Sequence, residues 1–565
     1  MAKKTEVAVS HTFYDIKDML TKTVAAVGDK VAYKFRSAGG VTEITYKQFG
    51  DQVHFIGTEL HSMGLSSSHI GCSGENSYNW ICVYLAALCS SGVFCPVDKD
   101  LPENDFAYVV DNGDSEIIFV DQKREELCRS IREKLPKVKY FVCFDRKEDD
   151  GEFLSFEKFV ARGKEKFESG NKEFLDLESD INALKMLIYT SGTTGIAKGV
   201  MLSGENISSL VYYGLAHATI RDVGLSVLPY HHSYEAVAGL LVAIHNRSTL
   251  IINDSLKRVL KNLQDFHPQC VYLVPAFVEV FYRRIWATIE EQGKTKLIKT
   301  AIKVSNALRK VGIDIRRVVF KQIHENFGGK LEKIICGGAP IRPELAKFFD
   351  DIGFILVNGY GITECSPLVS VNREDDNDPS TVGVKLECID VKISDLTSDG
   401  DGEICVKGKT VMMGYYKNPE ATAEVFDEDG YFKTGDYGRI DEHNHIVITG
   451  RKKNIIILGN GKNIYPEEIE NYIGNIPYVL EAVVYGAKGE DGIEEALCAE
   501  ATVDEAKLAG LDKAAIEAKL KSDIFKELES LPVYKQVTQV VVRETPFVKT
   551  TSNKIKRDKN GAPLK

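Results

Sequence analysis

Between residues 1 and 450 the chain repeats one pattern, a short apolar run of strand length followed by a helical stretch. EIIFV, KYFVCF, LSVLP, STLIIN, CVYLVP, KIICG and FILVNGYG are the clearest runs. Runs this short, rich in β-branched residues and closed by turn formers, read as strands. Their alternation with helices predicts an α/β fold of layered, parallel sheets. Residues 280–330 (FYRRIWATIEEQGKTKLIKTAIKVSNALRK and onward) show helical periodicity, many charges and no strand signal, so they read as a helical insertion. From about 381 to 450 short strands and turns dominate (VGVKLECIDVKISD, GEICVKG, HIVITG), which suggests a small β-barrel-like piece. After Gly450 the pattern becomes a compact α+β unit with helices PEEIENYIG and AAIEAKLKSDIFKEL and strands VLEAVVYG, EALCAEATV and QVVVRE. The expected domains are therefore 1–450 and a smaller, mobile 451–565, joined at TGRKKN, whose charges resist burial.

A net charge of −11 argues against a nucleic-acid surface, and no basic stripe with interleaved aromatics is evident. The twelve cysteines include no CxxC spacing, so neither zinc nor a disulfide framework is expected, and the compartment reads as reducing and cytoplasmic. The opening residues, MAKKTEVAVSHTFYDIKD, lack the apolar core of a signal peptide. WICVYLAALCSSGVFCPV (80–97) is uncharged over 18 residues, but Ser90-Ser91-Gly92 interrupts it. It reads as a buried helix and a short buried strand, and no transmembrane span is expected.

The stretch YTSGTTGIAKGVMLS, Tyr189 to Ser203, follows the apolar run LKMLIY and precedes the amphipathic NISSLVYYGLA. Strand, glycine-rich loop and helix start together suggest a phosphate cradle, with backbone N–H groups, hydroxyls and Lys198 as donors. The alternative is a flexible surface loop. A Walker A loop requires GxxxxGK[ST], and GTTGIAKGV fails it. TIEEQGKT (288–295) has Thr288 where the first glycine must stand and reads as a solvated helix end.

TSGTTGIAKGV closely resembles the signature loop of the adenylate-forming enzymes: acyl-CoA synthetases, nonribosomal-peptide adenylation domains and luciferases. The resemblance continues in order through PYHHSYE (229–235), CGGAPI (336–341), NGYGITECSP (358–367), YFKTGDYGRID (431–441), ITGRKKNIIILGNGKNIYPEEIE (448–470) and KTTSNKIKR (549–557). It implies joining of a carboxylate to the α-phosphate of ATP, then acyl transfer to coenzyme A. The first step brings anions together, so its site must supply positive charge and fixed geometry. By resemblance Thr190, Ser191, Gly192, Thr193, Thr194, Gly195 and Lys198 would hold the departing phosphates. Thr363 would donate to the α-phosphate, and Glu364 would hold Mg²⁺. Gly338, Ala339, Pro340, Asn358, Gly359 and Tyr360 would surround adenine, and Asp436, with Arg451 nearby, would accept from the ribose hydroxyls.

Lys554 is the expected adenylating lysine, bridging carboxylate and α-phosphate. A frayed basic tail is the plainer reading of 549–559; its position after a strand and a Pro-Phe step favours a docked segment. The family has glycine before this lysine where this chain has Asn553, which tolerates left-handed backbone angles. The family resemblance implies a swing of the C-terminal domain about Lys453, with Gly461 in the loop that faces the pantetheine channel.

His232 and Tyr234 are expected to line the acyl pocket. The adjacent His231 and His232 are expected to point apart on a strand, which disfavours a shared metal. HNH at 443–445 reads as a polar turn. The glutamate ending HHSYE and the helical insertion resemble long-chain fatty acyl-CoA synthetases. The expected partners are thus a fatty acid and coenzyme A, with peripheral membrane contact compatible with an apolar tail. The competing readings are a ligase loading an acyl carrier protein, a non-catalytic nucleotide-binding relative, and an ADP-forming phosphotransferase.

Overall fold

The computed structural model describes residues 12–190, 197–397, 400–457, 463–488, 494–549, 555–558 and 561–564. Contacts group the chain into two compact units, 1–390 with 406–432, and 391–405 with 433–565.

Two large sheets build the first unit, and each expected apolar run is a strand in one of them. One sheet has nine strands among the described residues. Its centre is Thr249–Ile252, Val223–Ser226, Cys270–Leu273, Lys333–Cys336 and Ile355–Tyr360, in that spatial order and all parallel. The other has eight strands, with Val93–Pro96, His69–Ser73, Ser115–Val120, Tyr140–Cys143 and Phe153–Ser155 in parallel. Parallel strands are covered on both faces, which is why these sequences read as apolar runs and not as alternation. The expectation of parallel sheets holds at the centres, and antiparallel strands complete the edges.

The uncharged stretch from Trp80 folds as expected. Tyr78–Cys89 is a helix capped by the Ser77 side chain, and every strand residue of Val93–Pro96 is buried. Trp80 packs edge-on against Phe94 with ring centroids 5.2 Å apart, and against Tyr230 at 5.3 Å. No helix of the described residues is long and apolar enough to cross a membrane. The helical insertion comprises helices Pro275–Glu291, Thr295–Arg309, Arg316–Val319 and Lys321–Asn326. Phe281, Ile285 and Ile289 from the first of these helices, and Phe327 just after the last, join the core of the nine-stranded sheet. The near-match TIEEQGKT spans the end of the first helix, where Gly293 takes φ +65°.

In the second unit, strands Phe432–Ile440 and Ile446–Arg451 form a hairpin. HNH occupies its turn: Asn444 has φ +63°, and Asp441 Oδ1 accepts from the backbone N–H of His443 and of His445. Strands Val479–Lys488, Glu494–Val503 and Gln539–Val542 form a separate sheet. Helices Pro466–Ile473 and Lys513–Glu527 pack on it through Ile469, Ile473, Leu520 and Ile524.

Backbone proximity fixes one helix pair in the first unit. Helix Tyr46–Ser62 meets helix Phe156–Glu168 where Gly163 faces the Phe55 carbonyl, and a Cβ at 163 would lie 1.9 Å from that oxygen. Beside this contact the buried Glu59 accepts from Arg162 Nε at 2.9 Å and Lys166 Nζ at 2.6 Å. Gly163→Ala is expected to destabilise by about 1–3 kcal/mol, the usual cost of overpacking. A lower urea midpoint would record it; an unchanged midpoint would mean that the helices separate freely.

Candidate active site

The glycine-rich stretch lies in a hairpin. Leu184–Thr190 pairs antiparallel with Lys198–Ser203, Thr190 opposite Lys198, and the next helix starts only at Gly204 behind a Ser203 cap. This corrects the expectation of a loop opening directly into a helix. KGVMLS becomes a strand because Val200 and Leu202 are buried while the backbone pairs on both edges. Ser191, Gly192, Thr193, Thr194 and Gly195 lie outside the described residues. Thr190 and Lys198 close the hairpin on either side.

The second edge of Lys198–Ser203 pairs with Gly414–Tyr415, Tyr415 opposite Val200. That pairing brings Lys198 Nζ to 5.0 Å from the Tyr415 ring centroid. The Tyr415 hydroxyl donates to Glu364 Oε1 at 2.9 Å, and the Glu364 carbonyl accepts from the Met412 N–H at 2.8 Å. Burial, then the Glu364 carboxylate, pushes the Tyr415 phenol up, so it stays protonated and a donor. Lys198 and Glu364, more than 160 positions apart in the sequence, thus meet on one tyrosine that sequence reasoning missed. Its available signal was MGYYKNPE (413–420), an aromatic pair between a glycine and a proline-started helix.

Glu364 is half-buried, and among the described residues only one of its carboxylate oxygens takes a hydrogen bond. One carboxylate oxygen suits Mg²⁺, which takes few protein ligands and completes its shell with phosphate and water. Among the described residues no group of three or more His, Cys, Asp or Glu could cage a metal ion. Thr363 adjoins Glu364 in a tight turn, Thr363–Cys365, and its Oγ1 accepts from Ser233 Oγ at 3.4 Å. This bond ties NGYGITE to HHSYE. Gly361 allows this segment to fold back on itself: a Cβ there would fall 1.6 Å from the Pro367 carbonyl oxygen.

The residues expected around adenine sit on adjacent parallel strands. Lys333–Cys336 leads into a turn with Gly338 at φ +83° and with Ala339 and Pro340 exposed. Ile355–Tyr360 ends in Asn358, Gly359 and Tyr360, and the Asn358 Oδ1 is buried without a partner. The Tyr234 hydroxyl donates to the Ile335 carbonyl at 3.1 Å, which places the acyl-side tyrosine against the first of these strands.

His231 and His232 lie in a turn, not on a strand, with ring centroids 4.2 Å apart. This overturns the expectation that they diverge. The cause is a distant side chain: Asn76 Oδ1 accepts from the Tyr230 N–H, Asn76 Nδ2 donates to the Leu228 carbonyl, and the chain bends there. His231 Nε2 is 3.5 Å from Asp98 Oδ1, yet burial and the neighbouring His232 push its pKa well down, so it is neutral.

Tyr234–Leu241 then forms a π-helix, a rare conformation found mostly at functional sites. Glu235, on its first turn, is 1% exposed; its Oε1 accepts from the Ser226 hydroxyl and its Oε2 has no partner. It borders a cavity of about 10 Å³ with Gly239, Leu250 and Tyr272. Burial, eased by the Ser226 hydroxyl, raises Glu235 from 4.5 to about 8.

In the second unit Asp436 and Arg451 face each other across their hairpin, Arg451 Nε 2.8 Å from Asp436 Oδ1. Lys453 is exposed on the following turn. Gly461 and Lys554 lie outside the described residues. The described residues on either side of Lys554 are held in the second unit. Lys549 bridges Ile555, Lys556 N–H donates to the Val548 carbonyl at 2.8 Å, and Arg557 Nη2 holds both oxygens of Glu470 at 2.7 and 2.8 Å.

The sequence model described as AMP-binding enzyme matches residues 20–416. The chain belongs to the AMP-binding enzyme family. Within that family it is 30% identical to Long-chain-fatty-acid–CoA ligase 5 of Mus musculus, over 89% of this chain and 80% of that protein. It is 28% identical to Long-chain-fatty-acid–CoA ligase FadD15 of Mycobacterium bovis, over 81% and 78%. The fold is shared with the anthranilate CoA ligase AuaEII, solved in complex with anthranoyl-AMP. The TM-score is 0.77 at 18% identity, covering 96% of this chain and 95% of that one.

The state of Glu235 makes a pH prediction. Its pKa is raised on folding, so its contribution to stability is fully present below pH 4.5 and lost as pH rises to about 8. Glu235→Gln should flatten that fall, the variant gaining on the native chain between pH 5 and 9. Parallel curves of Tm against pH would show that Glu235 is ionised when folded.

Proposed function

We infer that the chain is an AMP-forming acid–thiol ligase that activates a long-chain fatty acid and transfers it to coenzyme A. The observation that carries this reading is the convergence of Lys198 and Glu364 on Tyr415, in a chain of the AMP-binding enzyme family. The substrate class rests on the relatives, which are long-chain-fatty-acid–CoA ligases.

In the first half-reaction a carboxylate oxygen forms a bond to the α-phosphorus of ATP while the bond to pyrophosphate breaks. In the second, a thiol sulfur bonds to the acyl carbon and AMP departs with the former carboxylate oxygen. Lys198, at the mouth of the hairpin, supplies charge to the departing phosphates. Thr363 is assigned as donor to the α-phosphate, held in place by its bond from Ser233. Glu364 is assigned to Mg²⁺, which when bound screens phosphate charge; Tyr415 fixes one of its oxygens and leaves the other. The unpaired Asn358 Oδ1 suits the amino group of adenine. Asp436 is assigned to the ribose and Arg451 to orienting it. Lys554 is assigned to the approach of the two anions, Lys453 to the hinge and Gly461 to the thiol side.

Cytoplasm, which supplies ATP and coenzyme A, is the setting this reading expects. Fatty acids partition into membranes, so peripheral membrane contact belongs to it too. An acyl carrier protein as acceptor is the second reading, separated by replacing coenzyme A with carrier protein.

A panel of carboxylic acids scored by pyrophosphate release, with and without coenzyme A, tests the reading. Long-chain acids should release pyrophosphate and form AMP; silence across all acid classes would sink it. Lys554→Ala should cut adenylation by about 10²–10³, the scale of one lost electrostatic contact, while thioester formation from supplied acyl-adenylate survives. Equal loss in both steps would remove Lys554 from its assigned role. Lys198→Ala should have a milder effect, seen chiefly in KM for ATP.

A further inference from the structure

The middle of the helical insertion is strongly basic. Residues 294–321 hold nine lysines and arginines and a single acid, Asp314, in a chain whose net charge is −11. Helix Thr295–Arg309 is held on its inner side. Ile298, Ala301 and Ile302 pack on the core of the nine-stranded sheet, and Asn306 Nδ2 donates to Asp351 Oδ1 at 2.8 Å. The nearby acids are engaged: Asp350 by Arg309 and Arg316, Asp314 by Arg316, and Asp351 by Lys347.

The outer side is different. Leu297 and Val304 are 63% and 51% exposed and stand seven residues, two helical turns, apart, so they share one face; Val311, 72% exposed, follows in the turn after the helix. Lys296, Lys303 and Lys310 precede them at the same spacing and make no ion pair among the described residues. Just beyond, Ile313 and Val318 expose a further 51% and 78% of their surface. A solvated helix would alternate signs of charge; this one sets aliphatic side chains between unpaired lysines.

We propose that the outer face of helix Thr295–Arg309, with the turn through Val318, docks the enzyme on a membrane surface rich in anionic phospholipid headgroups. The lysines complement the headgroup charge, and the aliphatic stripe enters the boundary between headgroups and acyl chains. A nucleic acid would match the charge but not the stripe, and no exposed aromatic side chain interrupts it for base stacking. The docking deepens the fatty-acid reading on which it rests: an acid of low solubility is drawn from the bilayer in which it accumulates.

The test is co-sedimentation of the full chain with vesicles of phosphatidylcholine alone, or with about one-third phosphatidylglycerol. The chain should bind the anionic vesicles and leave the neutral ones, and binding should fall in about 0.5 M salt. Lys296→Glu/Lys303→Glu/Lys310→Glu should weaken binding at least about 10-fold, since each basic residue contributes about five-fold. The arginine versions at the same positions should retain it. Leu297→Gln/Val304→Gln should weaken binding at both salt levels. Equal binding to both vesicle types, no binding, or capture of an RNA oligonucleotide in place of vesicles would overturn the proposal. In parallel, pyrophosphate release with a water-soluble short acid and no vesicles should be the same for all variants. Release without vesicle binding would remove the surface and leave the function; vesicle binding with no acid active would do the reverse.

Discussion

The candidate site depends on a strand whose two backbone edges are both used. Lys198–Ser203 pairs with Leu184–Thr190 on one side and with Gly414–Tyr415 on the other. The first pairing closes the glycine-rich hairpin; the second brings in the tyrosine that orients Glu364. A register slip of one residue on either edge would turn Tyr415 or Lys198 to the opposite face of the sheet. Lys198 and Glu364 therefore meet through ladder hydrogen bonds, and these are far stiffer than a pair of long side chains finding each other. Gly414 has φ +137° and lies against Thr422, so the short strand starts from a backbone that only glycine adopts easily.

Beside this site the segment 231–235 carries buried polar groups that are neutral. Glu235 is kept protonated by burial, His231 is kept neutral by burial and by His232, and Tyr234 spends its proton on the Ile335 carbonyl. Buried charge would be costly here, because a long apolar tail brings no counterion. Neutral groups can line an apolar channel and still fix its shape through hydrogen bonds. The π-helix places Glu235 beside Gly239, where a Cβ would come within 3.0 Å of its carboxyl carbon, so this turn holds the carboxyl close against its own helix.

Much of the fold was legible because it is written in local signals. Apolar runs of strand length give the parallel strands, Ser77 and Ser203 cap helices where their neighbours turn periodic, and Gly293 ends one. What local signals miss is pairing between distant segments. KGVMLS and the tyrosine pair after Gly414 carry no mark of each other, so Tyr415 stayed hidden and the hairpin was read as a loop before a helix. The histidine pair failed for a related reason. Its turn is imposed by Asn76, about 150 positions earlier in the sequence. The charge on 280–330 is plain in the sequence, but the basic excess within 294–321 is masked by an acidic total for the chain.

These features bear on how a reaction between anions proceeds. A cation on the carboxylate side would attract the acid but would also hold it in the ground state, and binding substrate and transition state equally gives no gain in kcat. Glu235 and His231 are neutral, with Asp98 3.5 Å from His231, and the proposed reading puts Lys198 on the phosphate side. In the proposed reaction this asymmetry leaves the carboxylate oxygen poorly solvated but not captured, facing a phosphate whose charge is already offset. A positive group is then needed only where the two anions close on each other. On the proposed reading Lys554 supplies that charge in adenylation and is not required for the thiol's attack on an ester of AMP.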